Sequence, residues 1–413
     1  MQTNLADFIR DTPEGKEADA ILRKCTHCGM CTATCPTYQL LNDELDGPRG
    51  RIYLIKQVLE GKTPSQKTQL HLDRCLTCLS CETTCPTGVR YGRLADIGRK
   101  LIEERVERGT LEAAWRSALS AVIPSSARFG PLLKLGQIAR PFLPRALKRK
   151  IPPSTAPAGT WPAATHSRRM LVLEGCAQPS MSPATNAAAA CVLDRLGITL
   201  VRAVGADCCG AVRFHLNEQD AAREQMRRNI DAWWPHVEAG AEAIVMTASG
   251  CGVMVKDYGH ALAHDSAYAE KAQRISALTK DISEIIIAEG EKLKPLIPHP
   301  SSLIPERRVA FHAPCSLQHG LKLKGQVESL LAALGYSLTD VPDSHLCCGS
   351  AGTYSILQPE LSRRLQENKI AALESGRPAA ILTANIGCQA HLQAATDLPV
   401  RHWIEALDEL LAR

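Results

Sequence analysis

Aromatic residues are scarce: phenylalanine, tyrosine and tryptophan together make up 4% of the 413 residues. With a net charge of only +5, there is little to stack on bases or to neutralise a phosphate backbone, so nucleic acid is not an expected partner. No run of about 18 apolar residues occurs, which argues against a membrane-spanning helix. The first ten residues, MQTNLADFIR, lack the apolar stretch of a secretory signal, so a cytoplasmic, reducing setting is expected. Also missing is a glycine fingerprint opening a βαβ unit, so a dinucleotide or flavin would have to sit on another chain. The content of 45% hydrophobic and 22% charged residues excludes a disordered chain and suffices for two or three domains.

What is abundant is cysteine, with 17 residues. In a reducing compartment that points to metal binding or redox chemistry rather than disulfides. Eight of them form two motifs of identical spacing. The first is Cys25-x-x-Cys28-x-x-Cys31-x-x-x-Cys35-Pro36, the second Cys75-x-x-Cys78-x-x-Cys81-x-x-x-Cys85-Pro86. Three thiolates at two-residue spacing can wrap one iron–sulfur cube from a single turning loop, and the fourth, before proline, turns toward the other cube. The expected ligand sets for two [4Fe–4S] clusters are therefore Cys25, Cys28, Cys31 and Cys85, and Cys75, Cys78, Cys81 and Cys35. Structural zinc is the competing reading, but its ligands usually come as two separated pairs. His27 reads as a spectator. The 39 residues between the motifs and the helical periodicity of Gly50 to Glu60 and of Leu94 to Arg108 resemble the α-helical ferredoxin domain of succinate dehydrogenase-type iron–sulfur subunits.

The composition divides the rest. Residues 1–110 hold the two motifs, and 111–150 read as a basic helical segment. Between Ser125 and Lys150 seven Lys or Arg and no Asp or Glu interleave with apolar residues, which suits peripheral contact with anionic lipid or a cover over a neighbouring surface. Pro131, Pro141 and Pro144 are expected to break that helix. Residues 151–167, rich in Pro, Ala, Ser and Thr, read as a flexible linker.

Residues 168–300 and 301–413 read as an internal repeat. RRMLVLEGC and RRVAFHAPC end at Cys176 and Cys315; after 31 intervening residues in each come Cys208-Cys209-Gly210 and Cys347-Cys348-Gly349; AIVMTASGC and AILTANIGC close at Cys251 and Cys388. Short β-branched runs such as Ile198 to Val204 alternate with helical stretches such as Glu218 to Trp234, so each unit is expected to be α/β with mostly parallel strands and its cysteines at the strands' C-terminal ends. Cys176, Cys208, Cys209 and Cys251, and Cys315, Cys347, Cys348 and Cys388, are candidate sites for a further iron–sulfur or zinc centre. Equally, such cysteines serve as small buried hydrophobes, with the glycine making a turn. Cys191 reads as plain core. His312, His319, His345 and His391 read as hydrogen-bonded structure or as groups tuning a centre.

These units resemble the tandem cysteine-rich CCG domains of heterodisulfide reductase B subunits, except that the Cys-x-x-Cys ending is absent: Gly252-Val253-Met254 and Gln389-Ala390-His391 follow the last cysteines. A five-cysteine non-cubane centre and direct disulfide reduction are therefore not expected. The cysteine spacings alone also fit membrane-anchoring subunits of anaerobic glycerol-3-phosphate dehydrogenase and lactate-utilisation proteins. The stretches CTHCGMCTATCPTYQLLNDELDGPRGRIYLIKQVLEG, LEGCAQPSMSP, NIDAWWPHVEAGAEAI and DVPDSHLCCGSAGTY decide for the iron–sulfur subunits of bacterial glycolate dehydrogenase, also called glycolate oxidase, which the chain resembles throughout. That resemblance implies a subunit that binds no substrate, in an oxidoreductase acting on CH–OH with an acceptor other than oxygen. Flavin-containing partner subunits would oxidise glycolate, with D-lactate as a second substrate. This chain would pass electrons toward a quinone or the respiratory chain, peripherally at the inner membrane.

Overall fold

The computed structural model describes residues 1–144, 148, 151–155, 157–297 and 307–412. Two compact units are formed, Met1–Ala118 with His345–Lys369, and Leu119–Ser344 with Ile370–Arg413.

Helices of the first unit begin where the sequence supplies start signals. Thr12 caps the helix Pro13–Lys24 by accepting from Gly15 N at 3.0 Å, and Pro13 and Pro48 stand at first helical positions, where the missing N–H costs nothing. The helix Pro48–Leu59 buries Ile52, Ile55, Val58 and Leu59, and Tyr91–Glu103 buries Leu94, Ala95, Ile97, Leu101 and Ile102. The two approach closely at Gly98, where a Cβ would lie 2.6 Å from Ile55 Cγ1. Both helices start a few residues before the periodicity suggests, at Pro48 and Tyr91. In the segment His345–Lys369, Tyr354 Oη donates to Arg74 O at 3.1 Å and Arg364 Nη2 to Leu40 O at 3.0 Å.

The second unit holds two parallel four-stranded sheets of the same topology. Strands β1 (Arg168–Val172), β2 (Ile198–Arg202), β3 (Ile244–Met246) and β4 (Thr279–Asp281) are ordered β2-β1-β3-β4. Strands β5 (Arg308–His312), β6 (Ser337–Leu338), β7 (Ala380–Thr383) and β8 (Val400–His402) are ordered β6-β5-β7-β8. The repeat read from the cysteines is thus a repeat of architecture. Strand β2 stops at Arg202, short of the expected Val204, which is 97% exposed.

The two sheets share one core, in which Val172, Leu193, Phe311, Leu382 and Trp403 belong to a single cluster. Ser249 N donates to Ala384 O at 3.1 Å and Gly250 N to Asn385 Oδ1 at 3.2 Å. His402 is fully enclosed: its Nε2 donates to Thr247 O at 2.8 Å and its Nδ1 accepts from Ile404 N at 3.1 Å. That pattern is the neutral ring, and burial pushes its pKa down to about 4.

Three expectations are corrected. The helix Ser126–Ala139 runs through Pro131; one backbone bond is lost, and Gly130 packs so closely on Ser180 that a Cβ would lie 2.9 Å from its Oγ. The stretch around 157–167 has no regular structure but is pinned. Trp161 packs on the core with the Arg202 guanidinium 3.9 Å from its ring centre, and His166 pairs with Asp194 at 2.8 Å. Cys191 is only half-buried, and its thiol donates to Thr160 O at 3.4 Å. Arg145, Arg149 and Lys150 of the basic stretch lie outside the described residues.

Candidate iron–sulfur sites

The two triplet loops have matching backbones. His27 and Gly29 in the first, and Thr77 and Leu79 in the second, take left-handed φ values of 61°, 84°, 52° and 63°. Alternating handedness coils the chain so that successive cysteines face inward; for the non-glycine residues this is a strained arrangement of the kind found at functional sites.

Around the first loop lies a partly open cavity lined by Cys25, Cys28, Cys31 and Cys85, with Cys81 and His27 at its wall. A second is lined by Cys75, Cys78, Cys81 and Cys35. Cys35 and Cys85 each line the cavity of the opposite triplet.

The donor set fits iron–sulfur clusters. Thr77 N donates to Cys75 Sγ at 3.4 Å and Val89 N to Cys85 Sγ at 3.5 Å, bonds of the kind that stabilise cluster-bound sulfur. The buried Nδ1 of His27 has no partner at the first cavity wall. Among the described residues, neither cavity brings three of its sulfur atoms within 4.8 Å of one another. A tetrahedral zinc, about 2.3 Å from each sulfur, would hold them about 3.8 Å apart.

The electrostatics of the cavities differ. Burial pushes Cys31 up to about 11 and Cys81 well above the usual thiol range, with neighbouring thiols adding to both. Cys75 is also buried, which would raise it, yet the cations of Arg51 and Arg99 and the Tyr91 hydroxyl, 3.5 Å from its sulfur, hold it below the usual value. Arg51 is 1% exposed and reaches Thr37 Oγ1 at 3.1 Å and Asp46 Oδ1 at 3.4 Å. Thr37 Oγ1 in turn lies 3.3 Å from Cys35 Sγ. Arg99 Nη2 donates to Cys75 O at 2.6 Å. Sequence reasoning missed Arg51, Arg99, Tyr91 and Asp46; the available signal was an arginine on the apolar face of each flanking helix.

In the first repeat the four cysteines meet. Cys176, Cys208, Cys209 and Cys251 are near enough to shift one another's acidity. The neighbouring thiols, with Gly210 N at 3.4 Å, draw Cys208 below the usual thiol range, while those neighbours and burial push Cys176 and Cys209 far up. Tyr258 Oη donates to Cys209 O at 2.9 Å, and Asn229 Nδ2 to Cys208 O at 2.8 Å. Cys251 stands in the first turn of the helix Ser249–Lys256 rather than on a loop. Gly210 and Gly349 both have left-handed φ, 92° and 89°, and Gly349 N donates to Cys347 Sγ at 3.4 Å as Gly210 N does to Cys208. In the second repeat, Cys315 and Cys388 belong to one compact unit and Cys347 and Cys348 to the other. His312 is buried with its Nδ1 3.0 Å from Thr383 Oγ1.

The chain is 56% identical over its full length, and over the full length of that protein, to the glycolate oxidase iron-sulfur subunit of Escherichia coli K12. The chain belongs to the glycolate oxidase iron–sulfur subunit family. A second member of that description, the probable glycolate oxidase iron-sulfur subunit of Bacillus subtilis, is 29% identical over 89% of this chain and 87% of its own. Lactate utilization protein A of Bacillus licheniformis is 28% identical over 48% of this chain and 79% of its own. Within the family framework, residues 21–89 match the model of a 4Fe-4S dicluster domain, and residues 170–256 and 309–393 each match that of a cysteine-rich domain.

Proposed function

We propose that this chain is the electron-transfer subunit of a complex that oxidises glycolate to glyoxylate, with D-lactate as a second substrate. Cys25, Cys28, Cys31 and Cys85 would hold one [4Fe–4S] cluster, and Cys75, Cys78, Cys81 and Cys35 the other. The observation that carries this reading is the exchange of fourth cysteines between two adjoining cavities. When bound, each cluster takes up and returns a single electron. The protein's part is to hold the sulfurs, donate N–H bonds to them and keep the two sites adjacent, with Cys81 lining both. Substrate oxidation belongs to flavin-containing partner subunits, and the respiratory chain or its quinone takes the electrons.

The thiol group Cys176, Cys208, Cys209 and Cys251 is a candidate for a further iron–sulfur or zinc centre, because its members shift one another's acidity strongly. No helix among the described residues is long and apolar enough to cross a membrane. Peripheral contact would use the exposed Leu135, Ile138 and Phe142, which neighbour Lys134 and Arg140; flotation with anionic but not neutral vesicles checks it, and equal flotation with both removes the charge argument.

Iron and sulfide quantified per chain after anaerobic purification test the main reading. About eight irons are expected for the paired clusters, and about twelve if the first cysteine-rich unit is also filled. Colourless, zinc-loaded protein refutes it. Cys35→Ser and Cys85→Ser should each perturb the cluster of the opposite triplet.

A further inference from the structure

The two cavities are alike in sulfur count but not in charge. At the second, Arg51 and Arg99 are 1% and 8% exposed. Arg99 Nη1 donates to Thr77 Oγ1 at 2.9 Å and its Nη2 to Cys75 O at 2.6 Å, so it clasps the triplet loop itself. Arg51 spans the other side through Thr37, the partner of Cys35 Sγ. Arg74 adds a third guanidinium, 2.8 Å from Asp46 Oδ2. Against these stand the carboxylate of Asp46, which is wholly buried and also 3.1 Å from His71 Nδ1, and that of Glu82, which accepts from Gly92 N at 2.6 Å. Three cations against two carboxylates leave a positive surplus.

At the first cavity the part-buried Met1 ammonium donates to Cys25 O at 2.6 Å, and the nearby guanidinium is Arg49, about one-third exposed and ion-paired to Glu44 at 2.6 Å. Its charge is cancelled and screened by water, and Cys28 at that cavity's rim is exposed. Tyr91 Oη adds a bond to Cys75 Sγ at the second site, but backbone N–H bonds to sulfur do not separate the sites, since Cys85 accepts from Val89 N much as Cys75 does from Thr77 N. The buried arginines do.

Adding an electron makes a cluster more negative, and a fixed cation in a low-dielectric surround favours that state. Burial alone works the other way, by disfavouring charge. We propose that Arg51 and Arg99 set the reduction potential of the cluster held by Cys35, Cys75, Cys78 and Cys81 above that of its neighbour, so that electrons arrive at the exposed first site and collect at the second. This deepens, and rests on, the two-cluster reading above. In the transfer the first cluster loses one electron and the second gains it; no proton or atom moves. The collecting end also faces the Cys347–Gly349 turn, because Tyr354, on the same segment, donates to Arg74 O beside Cys75. Arg51 and Arg99 are positioning residues here, acting on the cluster through charge.

The test is a redox titration of the anaerobically purified full chain followed by electron paramagnetic resonance, with Cys28→Ser used to assign the first-site signal. Arg51→Gln should lower the second-site midpoint by at least the equivalent of a tenfold change in the ratio of reduced to oxidised cluster, about 59 mV for one electron. Arg51→Lys, which keeps the charge, should restore most of it. Should the Gln variant fail to assemble, the order of the two midpoints in the unaltered protein still decides. An unchanged second-site midpoint in Arg51→Gln, or a second site lower than the first in the unaltered protein, overturns the proposal. Absence of iron from the unaltered protein would instead sink the cluster reading itself, and iron per chain is measured in the same samples.

Discussion

Replacing Gly349 by alanine should loosen the chain more than the same change at Gly210, although both glycines follow a Cys-Cys pair with nearly equal φ. A left-handed conformation costs an L-residue about 1–2 kcal/mol, and that cost is common to both. At Gly210 the nearest atom to an added Cβ is Ala222 O at 3.3 Å, which a small shift accommodates. At Gly349 the methyl would stand 2.6 Å from Ser362 O and 2.9 Å from Leu365 Cβ. Ser362 cannot simply retreat, because its Oγ donates to Gly349 O at 2.8 Å. Overpacking of this kind adds about 1–3 kcal/mol, so about 2–5 kcal/mol is expected at Gly349 and about 1–2 at Gly210. A single global unfolding free energy is poorly defined for a chain of two units with cofactors, so hydrogen exchange of the peptides around each glycine is the suitable assay. Exchange near residue 210 should accelerate about 5–30-fold, and near residue 349 by more. Equal acceleration at both sites, or a larger effect at Gly210, would refute the steric argument.

Two further outcomes follow from the geometry. The pKa of His402 falls from the usual 6.5 to about 4 on folding, so its stabilising effect is complete above pH 6.5 and is lost as pH drops through about 4, worth about 3 kcal/mol at 1.36 kcal/mol per unit. Asp281, raised from 3.8 to about 6 by burial, has the opposite sign: its contribution is present below pH 3.8 and fades as pH rises through about 6. His402→Gln should therefore flatten the acid limb of a plot of melting temperature against pH, and a steeper limb would contradict the assignment. Gly98→Ala should cost about 1–3 kcal/mol through its clash with Ile55. In an Ile55→Ala background that cost should largely vanish, and strict additivity in thermal unfolding would rule out the clash.

Much of this architecture was legible because its signals are local. Cluster-type cysteines announce themselves by spacing within eleven residues, and the repeat by a cysteine and a Cys-Cys-Gly at one matched interval followed by a third Gly-Cys landmark, which the two identical strand orders bear out. What escaped was set by partners distant in sequence. Arg51 and Arg99 look like ordinary solvated charges on helices until the packing encloses them. Nothing in HLCCGSAGTY indicates that Tyr354 will bond to Arg74, or that this stretch will cluster with the first hundred residues rather than with the sheet that follows it. Pro131 misled because proline's helix-breaking tendency is a local rule, and close packing of Gly130 on Ser180 overrode it. Cys191 misled because an alanine-rich helix looks buried on every side.

The seam where Ser249 meets Ala384 sets a limit on how the chain can be dissected. A fragment cut between the repeats would strip the backbone carbonyl of Thr247 of the imidazole that caps it and leave Glu405 without the hydroxyls of Ser182 and Thr185. It would also bare the apolar side of Trp403, which is wholly enclosed in the intact protein. Although duplicated in sequence, the halves are no longer interchangeable modules, and neither is a sound candidate for separate expression.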